Sequence, residues 1–212
     1  MRKKAIIILC AMVCLFSACG QKSSDKAIGT DSPLSGKETS GLPYTYVGPH
    51  VFQSFEEFER FQKENKAEND PDHYYVPDLT GAEFSLIDVR KLDDGYIMTQ
   101  YRCPEPSDLT DGLNDYDRER LTTLICRQSF YEDAAASLKI NFMDKGYREI
   151  RFEGKTYYRW DEHAGGIDSG IVIGYEIAFI EDGNLIFMHL PAYDSFEEMM
   201  KYTKLIRREI AD

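Results

Sequence analysis

Residues 171 to 190 carry the clearest pattern in the chain, an alternation of apolar and polar side chains. This period of two is typical of β-strands that bury one face. Asp182 and Gly183 interrupt the alternation and match a type I′ turn, so the segment predicts a hairpin of strands 171–180 and 185–190. The apolar positions of the first strand are Ile171, Ile173, Tyr175, Ile177 and Phe179.

The two-residue turn also predicts the register of this hairpin, because it pairs apolar with apolar residues on one face. The same register places Glu176 opposite His189 on the other face. We expect a structural cross-strand pair there, in which the carboxylate stabilises the charged form of the imidazole. The apolar partners are Phe179 with Ile186, Ile177 with Met188, and Tyr175 with Leu190.

Six further segments have the composition of strands. Asp94-Gly95 and Glu153-Gly154 indicate two more hairpin turns. The segment from Tyr74 to Pro77 is expected to be extended, because a residue before proline is pushed out of the helical region. The remaining strand segments are 84–92, 96–103, 121–130, 147–152 and 155–160.

A helix is predicted from residue 54 to about 65. Ser54 and Glu57 fit a capping box, in which the serine caps the helix and the glutamate follows three residues later. Phe55, Phe58 and Phe61 then recur on one helical face. A phenylalanine stripe of this kind is typical of a helix packed on the core.

A second capping box at Ser195 and Glu198 predicts a helix that runs to the C-terminus. Between the two helices, segment 132–145 fits either a short helix ended by Gly146 or an alternating strand, and the alanine run favours the helix. The apolar stripe of the C-terminal helix consists of Phe196, Met199, Met200, Ile206 and Ile210. Together these elements predict an α+β fold, with a curved antiparallel sheet of about six strands and a helix at each end of the domain.

The N-terminus carries a different pattern, a basic start followed by an unbroken apolar run from Ala5 to Phe16. The run is shorter than the roughly 20 residues of a transmembrane helix, and its order is that of a secretory signal. Because two small residues precede Cys19, segment 15–20 resembles a bacterial lipobox. The resemblance implies cleavage after Ala18 and lipidation of Cys19, whereas the alternative is an ordinary signal peptide with a chance cysteine.

These patterns divide the chain into a lipoprotein signal peptide (1–18), a lipidated cysteine with a flexible tether (19–43) and a single globular domain (44–212). The tether contains no aromatic residue and cannot bury enough apolar surface to fold. A flexible chain of this length spans on the order of 25–30 Å. We therefore expect the domain to be held off the extracytoplasmic face of the cell membrane.

Charge excludes one class of partner. Loss of Arg2, Lys3 and Lys4 with the signal leaves 22 basic and 37 acidic residues, a formal charge of −15. Such a surface repels nucleic acid and keeps an exported domain soluble. Aromatic residues make up 13% of the chain, enough for a packed core.

Only two cysteines remain in the predicted domain, Cys103 and Cys126. Outside the membrane two cysteines can form a disulfide, but sequence cannot show whether their Cβ atoms meet. The alternatives are therefore a Cys103–Cys126 bond and two buried thiols on neighbouring strands.

Two polar loops, 104–120 and 161–170, invite a metal-binding interpretation. Asp108 to Glu119 has the length of an EF-hand loop, but Gly112 lies one position too early for one. The second loop offers a single histidine and no paired spacing. We predict no metal and no other cofactor. The candidate ligands of the second loop are Asp161, Glu162, His163 and Asp168.

Three segments of the domain resemble uncharacterised extracytoplasmic domains of Gram-positive lipoproteins and of anti-sigma-factor-like membrane proteins. The family's Pro-Glu-Gly after Val-Pro is replaced here by Pro77-Asp78-Leu79. The resemblance implies an antiparallel sheet that carries helices, as in half-barrel lipoprotein carriers, and implies no catalytic residues. The segments are 74–77, 152–158 and 175–184.

The sequence shows no nucleophile elbow, zinc motif or glycine-rich phosphate loop. We therefore expect a non-enzymatic lipoprotein that binds a protein partner or an envelope component. One alternative is a carrier that holds an apolar ligand between the sheet and the Phe- and Met-rich helices. The other is a metal-dependent hydrolase built on the two acidic loops.

Overall fold

The computed structural model describes residues 49–68, 70–92, 95–104, 112–130, 133–165 and 170–210, which belong to one compact unit. The strands are β1 (His50–Phe52), β2 (His73–Pro77), β3 (Ser85–Lys91), β4 (Ile97–Arg102), β5 (Thr123–Ser129), β6 (Arg148–Phe152), β7 (Lys155–His163), β8 (Val172–Glu181), β9 (Asn184–Pro191) and β10 (Leu205–Glu209). The α-helices are α1 (Phe55–Glu64), α2 (Asp115–Leu121), α3 (Ala134–Asn141) and α4 (Phe196–Met200).

Eight strands form one antiparallel sheet in the order β1-β3-β4-β5-β9-β8-β7-β6, and β2 pairs with β10 in a separate two-stranded sheet. The α+β class and the large antiparallel sheet agree with the prediction, but about six strands was too few. β1 has only three residues, too short to show an alternating pattern, and it extends one edge. Both C-terminal hairpins join the same sheet.

The β8–β9 hairpin has the predicted register, with Ile177 opposite Met188 and Glu176 opposite His189. Asp182 and Gly183 both have positive φ, 45° and 81°. A type I′ turn requires that conformation at both central residues, which explains the Asp-Gly pair. The turn between β6 and β7 is built in the same way, whereas Asp94 of the third predicted turn lies outside the described residues.

Helix α1 confirms the prediction for segment 54–65. The Ser54 hydroxyl accepts a hydrogen bond from the Glu57 amide at 3.2 Å, and the Glu57 carboxylate accepts one from the Gln53 amide at 2.9 Å. Phe58 is completely buried and packs edge-on against Tyr74, 5.1 Å between ring centroids. The phenylalanine stripe is therefore part of the core.

The polar segment 104–120 is not a loop throughout, because its second half forms α2. Asn114 caps this helix by accepting a hydrogen bond from the Asp117 amide at 2.8 Å, and Leu121 is buried at its end. Segment 132–145 contains helix α3, the favoured interpretation, and a 3₁₀ turn at 143–145. Gly146 ends it with φ of 92°, in the left-handed region that glycine favours.

The prediction of a long C-terminal helix was wrong. Ser195 caps α4 as expected, but the helix ends at Met200, and residues 205–209 form β10. β10 pairs with β2, a strand that is buried along most of its length. Buried backbone groups need hydrogen-bond partners, and this requirement overrides the local preference of the segment for a helix.

The Gln128 side chain makes two hydrogen bonds that join the two-stranded sheet to the main sheet. The amide of Gln128 on β5 donates to the Tyr75 carbonyl at 2.9 Å and accepts from the Tyr75 amide at 2.7 Å. Gln128 is completely buried, so its side chain replaces a strand partner in the interior. Between the two sheets lies the main core, formed with α4 residues Met199 and Met200. We call the sheet face toward this core the inner face and the opposite one the outer face.

Cys103, directly after β4, and Cys126, in the neighbouring strand β5, are free, buried thiols, so no disulfide joins them. Cys126 is the ladder partner of Thr99, and the Cys103 amide bonds the Thr122 carbonyl. The two cysteines are therefore four residues apart along the β4–β5 ladder, or roughly 13 Å at the rise of a strand. A disulfide requires Cα atoms within about 7 Å.

Candidate functional site

The outer face of the sheet is covered in part by α2 and by α3. Leu138 of α3 packs with Ala178 and Leu185 in a small apolar cluster. At the other end, Arg120 of α2 reaches the sheet through ion pairs with β7 and β8. The sheet between these two contacts is open to solvent on its outer face and forms a groove.

Four ionisable side chains form a charge cluster under α2: Arg120, Glu162, Glu176 and His189. The Arg120 guanidinium donates to both carboxylate oxygens of Glu162, with Nε and Nη2 at 2.9 and 2.7 Å from Oε2. Its Nη2 also lies 3.3 Å from Glu176 Oε1. Arginine is suited to this role, because its planar fork matches a carboxylate at two points.

His189 lies completely buried at the base of the charge cluster. Its Nε2 lies 2.7 Å from the Arg120 carbonyl oxygen and therefore donates to it. Its Nδ1 lies 3.3 Å from Glu162 Oε2, at an angle outside that of a hydrogen bond. The ring is therefore held between the α2 backbone and the Glu162 carboxylate.

Gly174 makes room for this ring. A Cβ at Gly174 would lie 2.1 Å from His189 Cε1, well inside van der Waals contact. The glycine is thus required by the approach of a buried ring in the middle of a strand.

The cluster keeps Glu162 ionised. Burial alone would raise the pKa of this carboxyl, but the contacts with His189 and Arg120 outweigh burial and lower the pKa to about 2. The second carboxylate, Glu176, also accepts a hydrogen bond from the Tyr147 hydroxyl. Burial and the bond to Glu176 hold the pKa of Tyr147 well above its usual range, so this phenol stays a neutral donor.

The groove has a volume of about 350 Å³ and begins at Glu176 and Tyr147. This volume is at the lower end of the range of small-molecule sites. Its apolar wall contains Phe142 and Phe187, whose rings are stacked with centroids 5.7 Å apart. The lining residues are Tyr96, Arg127, Ser129, Asn141, Phe142, Lys145, Tyr147, Glu176, Leu185 and Phe187.

Two cations also line the groove, and Arg127 is the ladder partner of Phe187. The Arg127 guanidinium lies over the Tyr96 ring, 3.8 Å from the ring centroid, which holds its plane in place. Lys145 is exposed in the 3₁₀ turn after α3 and makes no ion pair with any residue that the structure describes. Ser129 lines the groove as well; it is 2% exposed, and its hydroxyl has no hydrogen-bond partner within the described ranges.

Glu176 and His189 lie opposite each other as predicted, but their side chains do not form the expected pair. The two residues are ladder partners, yet the carboxylate that contacts the His189 ring is that of Glu162. Glu176 is turned toward Arg120 and Tyr147. Sequence alone placed Glu162 in a loop, so this partner was missed.

The loop predicted at 161–170 is partly strand, because β7 continues through His163. Alternation along the strand separates Glu162, on the outer face, from Asp161. Asp161 instead pairs with Arg148 and Arg159. Asp168 and Asp108 lie outside the described residues, as does Cys19.

Two further findings concern metals and membranes. Among the residues with described positions, no group of three or more His, Cys, Asp or Glu side chains is arranged to hold a metal ion. No helix within the same residues combines the length and the apolar character needed to cross a bilayer.

The apolar stripes named in the carrier alternative contribute their central residues to the core. Phe58, Met199 and Met200 are completely buried, and none of them lines the groove or three other cavities among the described residues. The groove lies instead on the opposite face of the sheet, and Glu176 is the one lining residue that the sequence had marked as part of a site. One signal for two of the other lining residues was present in the sequence. Arg127 and Ser129 are two residues apart in the predicted strand 121–130, a spacing that puts both side chains on one face.

Comparison with known proteins adds no relative. No protein-family profile, curated protein or solved structure matches the chain at a significant level. The fold and the geometry of the groove are therefore the only guides to function.

Proposed function

We propose that this chain is an extracytoplasmic lipoprotein, anchored in the cell membrane through Cys19, whose domain binds a small envelope molecule in the groove without catalysis. The observation that carries the proposal is the groove itself. It is concave, has one aromatic wall, and contains a few convergent polar groups, as small-molecule sites do.

The contacts within the groove favour binding over catalysis. A serine nucleophile needs a base within hydrogen-bond reach, and the Ser129 hydroxyl has no such partner among the residues with described positions. The only histidine of the charge cluster has its Nε2 committed to a backbone carbonyl. The side chains near the groove are therefore arranged to hold a ligand in place.

If the chain is a carrier of an apolar ligand, its ligand site differs from the one that the sequence suggested. The space between the main sheet and α4 is filled by core side chains, whereas the outer face offers an open recess. The proposed carrier site is therefore the groove between the outer face and the segment that follows α3.

Binding is tested with N-phenyl-1-naphthylamine, a neutral apolar dye whose fluorescence increases in apolar surroundings. The protein is the mature chain with Cys19→Ser, which lacks only the lipid. Asn141→Trp on the groove rim should abolish most of the signal, because the indole fills the recess. The matched control is Ala135→Trp, an exposed position on the same helix that lies outside the groove.

Two results would contradict the binding proposal. One is a chain that never takes up the dye. The other is an equal loss of signal in the Asn141→Trp and Ala135→Trp variants, since that loss would not come from the groove.

The anchor is tested separately in cells with an alkyne-labelled fatty acid. The wild-type chain should carry the label and sediment with membranes, whereas Cys19→Ala should do neither. If both chains sediment equally, the anchor is not on Cys19.

A further inference from the structure

β6 forms one edge of the eight-stranded sheet, and its outward side has no strand partner among the described residues. The two-residue turn between β6 and β7 makes Phe152 and Lys155 a hydrogen-bonded pair. Because hydrogen-bonded positions alternate along an antiparallel strand, the backbone N–H and C=O groups of Glu149 and Arg151 point away from β7. No described segment bonds these groups, so the edge has the free backbone donors and acceptors that a further strand needs.

The side chains along this edge include one charge of each sign. Glu149 and Arg151 lie exposed on the outer face, and neither makes an ion pair with any residue whose position is described. At β10, which has a similar spacing of charges, Arg207 instead donates to Glu209 of the same strand at 2.7 Å. The two charged side chains of β6 are therefore available to a partner.

The order of the β6 residues is self-complementary in one register. When two copies of β6 lie antiparallel with their Ile150 residues opposite each other, Glu149 of each copy faces Arg151 of the other. Opposite charges directly across a ladder stabilise it, whereas like charges destabilise it. A shift of two residues in either direction places Arg151 opposite Arg151 or Glu149 opposite Glu149. Only the register centred on Ile150 therefore pairs both charges.

We infer that β6 is an interface between two copies of this chain, which pair edge to edge in this register and continue the sheet from one copy into the other. A twofold axis at Ile150 relates the copies, so every contact occurs twice. Each pair of Glu149 and Arg151 adds two backbone hydrogen bonds to its ion pair. No β6 residue lines the groove, so this inference is independent of the proposed function.

The pairing is expected to be weak. β6 has five residues, whereas a standard interface involves about 20–30 residues a side. The formal charge of −15 on each predicted mature chain also opposes association at long range. We expect a dissociation constant on the order of 100 µM at about 0.15 M salt, where the Debye length is about 8 Å. Dilute protein is then monomeric.

Sedimentation velocity of the mature chain with Cys19→Ser tests the inference. The sedimentation coefficient should rise from that of a monomer at about 10 µM toward that of a dimer at about 1 mM. Arg151→Glu should weaken association at least about tenfold, because it sets like charges opposite each other at both pairs, and Glu149→Arg should do the same. The matched control is Arg60→Glu, an exposed position on α1, which packs at the opposite edge of the sheet.

Two further samples distinguish charge pairing from a general effect of charge. The double variant Glu149→Arg/Arg151→Glu has the composition of wild type and exchanges the two charges, so it should associate as wild type does. An equimolar mixture of the two single variants should form a heterodimer, since the acidic pair of one chain then faces the basic pair of the other.

Cross-linking fixes the register. Ile150→Cys should give a disulfide-linked dimer under mild oxidation, because directly opposite residues of a ladder have Cα atoms within about 5.5 Å. Phe152→Cys is the control on the same face. In this register the two copies of position 152 are four residues apart along the ladder, or roughly 13 Å, so no bond should form.

Three results would overturn the inference. A chain that remains monomeric at about 1 mM would give the charges of β6 the opposite role, protection of the edge from pairing. A double variant that associates as weakly as the single variants would exclude the charge pairs. Equal cross-linking at positions 150 and 152 would exclude the register.

Discussion

The two faces of the main sheet are built from the same strands and have opposite character. Met188 points to the inner face and is completely buried in the core, whereas its neighbour Phe187 lines the groove on the outer face. Ile177 and Glu176 differ in the same way on the adjacent strand. One strand therefore supplies both the packed interior and the wall of the candidate site.

The difference lies in how each face satisfies its side chains. The inner face is mostly apolar, and packing is the main source of its stability. The outer face buries charges, and each of these needs a partner in a fixed position. Arg120, brought in by α2, provides that partner for two carboxylates at once.

The largest expected effect separates the two faces by one residue. Met188→Ala should lower the free energy of unfolding by about 2–5 kcal/mol, because it leaves a cavity in a packed core. Phe187→Ala should cost about 1 kcal/mol, since the ring is half-buried at an open groove. Urea unfolding at neutral pH measures both values. Equal losses would show that the outer face is packed as tightly as the inner one.

The second effect concerns acid. Glu162 has a pKa of about 2 in the folded chain against an ordinary value of 4.5. Its stabilisation, about 3 kcal/mol, is therefore fully present above pH 4.5 and is lost as the pH falls toward 2. Wild type should lose this much more stability than Glu162→Gln between pH 6 and pH 2.

The control for that experiment is Glu149→Gln, which removes an exposed glutamate from β6. Its stability should follow the wild-type dependence on pH. A Glu162→Gln curve parallel to wild type would contradict the charge cluster.

A smaller loss of stability is expected at Gly174, where the His189 ring lies close to the backbone. Gly174→Ala should lower the free energy of unfolding by about 1–3 kcal/mol, because the new methyl group collides with the His189 ring. In a His189→Ala background the same substitution should cost much less. An unchanged cost in both backgrounds would show that the glycine serves the backbone and not the ring.

The smallest expected effect concerns the two buried thiols of the inner face, which should not react with an alkylating reagent. Burial raises the pKa of the Cys103 and Cys126 thiols to about 12, so iodoacetamide should modify neither in the folded chain at pH 8. Both should react in urea when Cys19 is replaced by serine. Rapid modification without urea, or an intact mass lower by two hydrogens, would show that this face is open or cross-linked.

Local sequence signals predicted the elements whose defining contacts join residues that are close together along the chain. The β8–β9 register followed from alternation and from the Asp182-Gly183 turn, and α1 followed from its cap and its phenylalanine stripe. In both segments the residues that define the element are neighbours along the chain. The same reasoning failed at β10, where pairing with the distant β2 outweighed a helical pattern.

The candidate site could be predicted only in part for the same reason. Glu176 and His189 were placed opposite each other by a local turn, but Arg120 and Glu162 join them from distant segments. The groove likewise combines β5, β9 and the turn after α3. No spacing along the chain reveals which of many charged residues will meet there.

By itself, the sequence determined the class of the fold, most of its strands, the first helix and the acidic character of the protein. These properties depend on side-chain period, turn chemistry and composition, which are local or additive. The tertiary structure decided the eight-stranded order, the strand at the C-terminus, the separation of the thiols and the assembly of the groove. Each of these depends on which distant backbone and charged groups must be paired once they are removed from water.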